Sequence, residues 1–242
     1  SYANEWKGET DNEAEDLPIG IQSFEKLRRD GYIYVDKTAL IYKLVTTEAI
    51  IFSVVRVVSQ KSDAEYAVNY YDVRTKDKFD ALFGDLYIGK YLTRDWNSYL
   101  VLYLNFSGII GELHNYRAGL DAHCQTCFDY FCDIYAEYLP QGIKEQLDAK
   151  NGAVEQLDYL YHECERAGQD IYLFIDEYDH FINAILSDAE SLHRYTKETH
   201  KEGYLRAFFN KIKSGTYSSI KRCFITGVSP VTMDVVVSRG IL

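Results

Sequence analysis

The sequence lacks any apolar stretch near the roughly 20 residues that a helix needs to cross a bilayer. Residues 1–16 are acidic and polar, so they cannot serve as a secretory signal, and we expect them to form a disordered tail. Basic residues are too few to balance the acidic ones, and the formal net charge is −11. Because a field of this sign repels nucleic acid and anionic membranes, we expect neither as a partner.

A disulfide framework is also missing, because the chain has five cysteines, an odd number for its size. His123, Cys124 and Cys127 have the spacing of metal ligands, but the second cysteine pair of a zinc site is absent. Cys124 and Cys127 would share one face of a predicted helix, which is how core residues recur. The cysteines therefore predict packing rather than metal binding, in a reducing, cytoplasmic compartment.

The most informative segment that is present reads Ile-Tyr-Leu-Phe-Ile-Asp-Glu-Tyr-Asp, over residues 171–179. Its apolar run predicts a strand buried on both faces of a parallel sheet. Asp176 and Glu177 follow at the carboxyl end, where open α/β sheets bind ligands. In nucleotide hydrolases with a phosphate loop, this is the Walker B position: the first acid holds Mg²⁺ and the second orients water. The alternative interpretation is a strand that simply ends in solvated acids.

Strands and helices alternate along the rest of the chain. Residues 99–106 and 222–226 are typical strands, and residues 153–167 predict a helix with Gly168 as its C-cap. Tyr32 to Val35 alternates like a short strand. The spacings are too long for hairpins and favour right-handed parallel crossovers. We therefore expect an α/β fold, a P-loop NTPase-like parallel sheet flanked by helices, in one domain over residues 17–242.

Four segments of the sequence carry a family resemblance. They are Leu17–Arg28 with its continuation Tyr34–Val45, then Leu100–Ser107, Leu173–Asp179 and Phe224–Pro230. Together they resemble the bacterial AAA-ATPase-like family, whose members often carry a PD-(D/E)XK nuclease-like domain after the ATPase core. The chain stops at Leu242, soon after the fourth segment, so we expect the nuclease-like domain and its activity to be absent.

The resemblance implies ATP and Mg²⁺ as cofactors and assigns roles to particular residues. Asp176 would be the acid on the Mg²⁺ side, and Glu177 would orient the attacking water. Thr226 would be a sensor-like group at the tip of a neighbouring strand, or, in the alternative interpretation, part of a turn before Pro230. Arg194, Arg206 and Arg222 are candidates for a phosphate-sensing arginine, and the sequence selects none of them.

The phosphate loop of the family is not preserved here. That loop reads roughly Phe-Leu-Ser-Arg-Pro-Arg-Arg-Phe-Gly-Lys-Ser, whereas residues 52–62 read Phe-Ser-Val-Val-Arg-Val-Val-Ser-Gln-Lys-Ser, without glycine. Glycines let successive backbone N–H groups converge on phosphate oxygens, and valine resists the positive φ values that such loops visit. Lys61 and Ser62 keep the Lys-Ser pair and are the candidate nucleotide-binding residues.

The replaced segment has a simple hypothetical origin. Single-base deletions in codons chosen for the family's loop reproduce residues 53–67, so we interpret this segment as an out-of-frame reading of a former phosphate loop and its helix. Codons that do not fit this scheme in the nucleotide sequence would contradict the hypothesis.

Two function classes follow from the sequence. The first is an AAA-like ATPase domain whose ATP binding and hydrolysis are impaired by the loss of the glycine-rich loop. The second is a catalytically inactive remnant or protein-interaction module with the same fold. A nucleotide is the expected ligand, and a protein partner or self-association stays open.

Overall fold

The computed structural model of the chain describes residues 23–32, 34–36, 38–46, 51–55, 62–109, 116–178 and 201–227. The tail predicted over residues 1–16 lies outside these ranges. In chain order the described elements are α1 (Phe24–Arg29), α2 (Thr38–Val45), β1 (Ile51–Val55), α3 (Ser62–Tyr71), a 3₁₀ helix (Val73–Lys78), α4 (Phe79–Phe83), α5 (Tyr87–Lys90), β2 (Leu100–Asn105), a 3₁₀ turn (Phe106–Gly108), α6 (Tyr116–Ile134), α7 (Ile143–Asp148), α8 (Gly152–Arg166), β3 (Ile171–Asp176), α9 (Lys201–Gly215) and β4 (Ile220–Gly227).

The strands form one parallel four-stranded sheet in the order β1-β4-β3-β2. Every residue of β3 is buried, which confirms the predicted strand covered on both faces. Because all the strands run in the same direction, their carboxyl ends lie at one edge of the sheet. That edge brings together the ends of β1, β2, β3 and β4 at Val55, Asn105, Asp176 and Gly227.

Each face of the sheet packs against its own set of helices. On one face, Leu102, Leu173 and Ile225 join the apolar residues of α6, α8 and α9. On the other face, Val101 and Tyr172 join the aromatic residues of α1, α3 and α4. Successive strand residues alternate between these two cores, as the period of two requires. The helices on both faces confirm the α/β fold predicted from the sequence.

Glycine ends the helix that precedes β3, as the sequence predicts. Gly168 has φ 69°, in the left-handed region. Its N–H donates to the carbonyl of Glu165 (3.0 Å), and the N–H of Gln169 donates to the carbonyl of Cys164 (2.8 Å). These bonds satisfy carbonyls that the end of α8 leaves without helical partners, and they direct the chain into β3.

The short strand predicted over Tyr32 to Val35 is wrong for the residues that the structure describes there. Residues 32 and 34–36 have no strand geometry, and Val35 is 72% exposed. The Asp36 carboxylate instead accepts the N–H of Thr38 (2.8 Å) and that of Tyr87 (2.7 Å). The described part of this segment is therefore a capping turn before α2, because none of the described strands pairs with it.

Candidate functional site

The centre of the candidate site is the carboxylate of Asp176, the last residue of β3, which is 5% exposed. The hydroxyl of Thr226, on the neighbouring strand β4, donates to its Oδ1. On the other side, the hydroxyl of Tyr103 on β2 donates to its Oδ2 (2.7 Å). The backbone N–H of Glu177 donates to Oδ1 (2.9 Å). Donors from both neighbouring strands therefore fix the orientation of this carboxylate at the edge of the sheet.

Glu177 leaves the strand in an unusual backbone conformation. Its φ is 53°, in the left-handed region that residues other than glycine seldom adopt. The residue is half-buried, while the following Tyr178 is 1% exposed. Strained backbone of this kind concentrates at functional sites, where the surrounding structure over-determines it. Here the turn lets Tyr178 enter the core while Glu177 stays at the edge, next to Asp176.

The end of β2 forms the neighbouring wall of this edge. Asn105 is the register partner of Asp176, and its side-chain oxygen accepts the N–H (3.0 Å) and the hydroxyl (2.7 Å) of Ser107. His123 packs so closely on Gly108 that a Cβ there would lie 2.8 Å from its Cε1. Burial lowers the pKa of His123, and a hydrogen bond with the Asn105 backbone opposes that shift. The wall is thus polar and closely packed.

Strand β1 and helix α3 lie on either side of the segment in which the sequence analysis expected the phosphate loop. Strand β1 ends at Val55, beside β4 at the same edge as Asp176, and α3 begins at Ser62. A strand, a short connection and a helix therefore follow one another as they do around a phosphate loop. The backbone of Ser62 opens α3, whereas its side chain and the whole of Lys61 lie outside the described residues.

Arg222, one of the candidate phosphate-sensing arginines, lies away from the carboxyl edge of the sheet. Arg222 is the register partner of Tyr172, about 13 Å before Asp176 at ~3.3 Å per strand residue. Its guanidinium forms an ion pair with Asp95 (3.2 Å). This position does not suit a phosphate-sensing arginine at the carboxyl edge. Arg194 and the side chain of Arg206 lie outside the described residues.

The cysteines pack in the core. Cys124, Cys164 and Cys223 are fully buried, and burial raises the pKa of Cys127 to about 11. Over the described residues, no cluster of three or more His, Cys, Asp or Glu side chains could hold a metal ion. The interpretation of Cys124 and Cys127 as packing residues agrees with the burial of Cys124 and with the packing of Cys127 against the core.

Sequence reasoning named Asp176, Glu177 and Thr226, and the structure brings all three together at the edge. It did not name Tyr103, because the tyrosine lies in a different strand with no acidic motif of its own. Strand order supplies the missing information, since β2 and β3 are neighbours and in register. Their parallel pairing is not visible in the local sequence.

A family model described as "Predicted AAA-ATPase" matches residues 18–237, nearly the whole chain. The chain belongs to this AAA-ATPase-like family. The matched range includes every strand of the sheet and the whole candidate site. No curated protein and no solved structure gave a significant match.

The chemistry of the site fits Mg²⁺, which family membership suggests together with a nucleotide. Mg²⁺ prefers oxygen ligands, keeps several waters, and is usually held by one or two carboxylates together with substrate phosphates. Asp176 supplies an oriented carboxylate, and Thr226 adds a hydroxyl beside it.

In the described part of the chain, no helix is long and apolar enough to span a membrane.

Proposed function

We propose that the carboxyl edge of the sheet is a site for ATP and Mg²⁺ in which hydrolysis is impaired. The observation that carries this proposal is the Asp176 carboxylate, which hydroxyls from both neighbouring strands orient at the edge, with Glu177 next to it. An apolar strand that ends in solvated acids would not need such donors. The impairment follows from residues 52–62, which contain no glycine.

Each residue of the site has a distinct role in this proposal. Asp176 binds the water shell of Mg²⁺, which when bound neutralises charge that develops on the phosphate oxygens. Glu177 orients the attacking water and accepts its proton, for in-line displacement at the terminal phosphorus. Thr226 holds Asp176 by donating its hydroxyl proton to Oδ1, and a sensor-like role would require that hydroxyl to turn towards the terminal phosphate.

The other half of the site would be the start of α3. Backbone N–H groups at a helix N-terminus attract phosphate, and Lys61 and Ser62 stand at that point in the sequence. Without glycine, the preceding residues cannot turn successive N–H groups towards the phosphates. We therefore expect weak binding and slow turnover.

The second candidate function is a nucleotide-independent remnant or interaction module with the same fold. The missing glycines favour it, because a phosphate loop binds phosphate through backbone N–H groups that its glycines allow to converge. The two candidates differ in one measurable property, which is Mg²⁺-dependent binding of ATP.

Calorimetric titration of the native chain with ATP, with and without Mg²⁺, tests the proposal. We expect a Kd below about 1 mM, equivalent to ~−4.1 kcal/mol, with Mg²⁺ present. Asp176→Ala should abolish the effect of Mg²⁺. Asp133→Ala is the matched control, because Asp133 is an exposed carboxylate paired with Lys144 on another surface. Binding that is absent, or that persists unchanged in Asp176→Ala, would instead favour the interaction module.

A further inference from the structure

Tyr103 is the residue of the site that has no assigned role. It lies on β2, opposite Phe174 of β3, and is 36% exposed. Its hydroxyl donates to Oδ2 of Asp176 (2.7 Å). The opposite oxygen of the same carboxylate receives Thr226 and the backbone N–H of Glu177. Tyr103 thus donates to Oδ2 of Asp176, whereas Thr226 donates to Oδ1.

The sheet explains how this tyrosine reaches the acid. Side chains alternate between faces, so Phe174 and Asp176 share a face, and Tyr103 lies opposite the first of them. The diagonal neighbour two residues further along is within reach of a long aromatic side chain. The ring of Tyr103 packs on Phe174 with centroids 6.4 Å apart and an interplanar angle of 32°. Packing therefore places the hydroxyl beside the carboxylate before any ligand arrives.

Two-sided hydrogen bonding has a specific consequence for metal binding. Hydrogen bonds to Oδ1 alone resist rotation of the carboxylate about its Cβ–Cγ bond less than hydrogen bonds to both oxygens do. A donor on Oδ2 restricts that rotation, and hydrogen bonds to ionised acceptors are stronger than neutral ones. Partners that orient a metal-side carboxylate typically change metal affinity by about 10- to 100-fold when they are removed.

We propose that Tyr103 is a positioning residue that sets the affinity of the site for Mg²⁺ by holding Asp176 in its binding orientation. This inference rests on the proposed function, because it concerns the metal of that same site. Tyr103 acts through Asp176 and does not itself contact the reacting phosphate. Its ring supplies packing and its hydroxyl supplies the orientation, so the two contributions can be separated by removing the hydroxyl alone.

The variant that separates them is Tyr103→Phe, which keeps the ring on Phe174. The Mg²⁺ concentration at half-maximal ATP binding should rise about tenfold, while the affinity for ATP in EDTA and the melting temperature change little. Tyr217→Phe is the control, because Tyr217 is 84% exposed and its hydroxyl loss should leave both quantities unchanged. An unchanged Mg²⁺ midpoint in Tyr103→Phe would overturn the proposal. An equal loss of ATP binding with and without Mg²⁺ would also overturn it, because that outcome indicates packing alone.

A second measurement keeps the inference separate from the proposed function. Mn²⁺ alone, followed by electron paramagnetic resonance without nucleotide, reports the metal site directly. We expect Asp176→Ala to abolish the bound signal and Tyr103→Phe to weaken binding about tenfold. If the native chain binds Mn²⁺ in this way but never ATP, the proposed function fails and the role of Tyr103 stands. If the native chain binds no Mn²⁺, or if Tyr103→Phe binds it as tightly as the native chain, the role of Tyr103 is overturned.

Discussion

At the scale of the residue, Glu177 combines a strained backbone conformation with a position next to the candidate metal-binding acid, Asp176. Its left-handed φ of 53° is unfavourable for a side chain that carries a Cβ, at about 1–2 kcal/mol. Asn tolerates this region better than Glu, because its short polar side chain can bond locally. The strain is acceptable here because the turn buries Tyr178 while keeping an acid beside Asp176.

The first prediction concerns this strain. Glu177→Asn should raise the free energy of unfolding by roughly 1 kcal/mol, because it relieves part of the left-handed strain. Glu177→Gln removes the same charge and retains the strain, so it should leave stability nearly unchanged. Urea denaturation of the two variants measures the difference. A Glu177→Asn protein that is less stable than Glu177→Gln would show that the strain argument is wrong.

Residues differ in how far the sequence alone could predict them. Asp176 and Glu177 follow directly from an apolar run that ends in two acids, a pattern contained in one segment. Thr226 needed the family resemblance, and its role in sensing phosphate stays a prediction. Tyr103 needed the strand order, because its partner lies in a separate segment of the chain. Contacts between neighbouring strands depend on topology, which local patterns do not contain.

At the scale of the element, the start of α8 connects three helices. Asp121 of α6 accepts the N–H of Ala153 (2.8 Å) and the hydroxyl of Tyr204 on α9. Its carboxylate therefore acts as a cap from another helix, close to the positive end of the α8 dipole. Gly152, with φ 80°, opens the helix in the narrow space between these groups. A Cβ there would lie 2.6 Å from the Tyr204 hydroxyl oxygen.

The second prediction follows from this junction. Gly152→Ala should lower the free energy of unfolding by about 1–2 kcal/mol from its left-handed φ alone, with a further loss as Tyr204 and Asp121 are displaced. Gly203→Ala is the matched control in α9, where a Cβ would meet nothing within 4 Å. Because alanine favours helix, this control should stabilise the protein by roughly 0.5–1 kcal/mol. Changes of the same sign in thermal or urea unfolding would contradict the local geometry.

A helix or strand could be predicted from the sequence where the local residues indicate both its burial and the position of its end. The buried run of β3 and the left-handed Gly168 after α8 both carry such signals, and both are confirmed. The strand prediction for Tyr32 to Val35 was wrong, because an alternating pattern over so few residues also fits a turn. A strand and a turn are distinguished by whether a partner strand is present. Here the Asp36 carboxylate accepts the N–H of Thr38, so the segment caps α2.

At the scale of the whole molecule, β1 and α3 take their places in the α/β fold although residues 52–62 contain no glycine. β1 lies beside β4, and α3 begins at Ser62, so a strand and a helix flank the expected position of the phosphate loop. Valine is a residue that strands favour, which agrees with the pairing of β1 with β4 over Ile51–Val55. A phosphate loop depends on glycine more than a strand does, because it needs backbone conformations that only glycine adopts freely.

We therefore propose that the acidic half of a nucleotide site is present at the carboxyl edge and that the missing glycine limits its affinity for ATP. The direct measurement is the calorimetric affinity for ATP–Mg²⁺ of a variant in which residues 53–60 are replaced by Leu-Ser-Arg-Pro-Arg-Arg-Phe-Gly. Its control carries Ala in place of the final Gly. A recovered backbone hydrogen bond to phosphate should be worth ~1.5–3 kcal/mol, so the glycine variant should bind at least about tenfold more tightly than the native chain. The alanine control should show little of this gain. Equal affinities for the native chain, the glycine variant and its control would show that the missing glycine does not limit ATP binding.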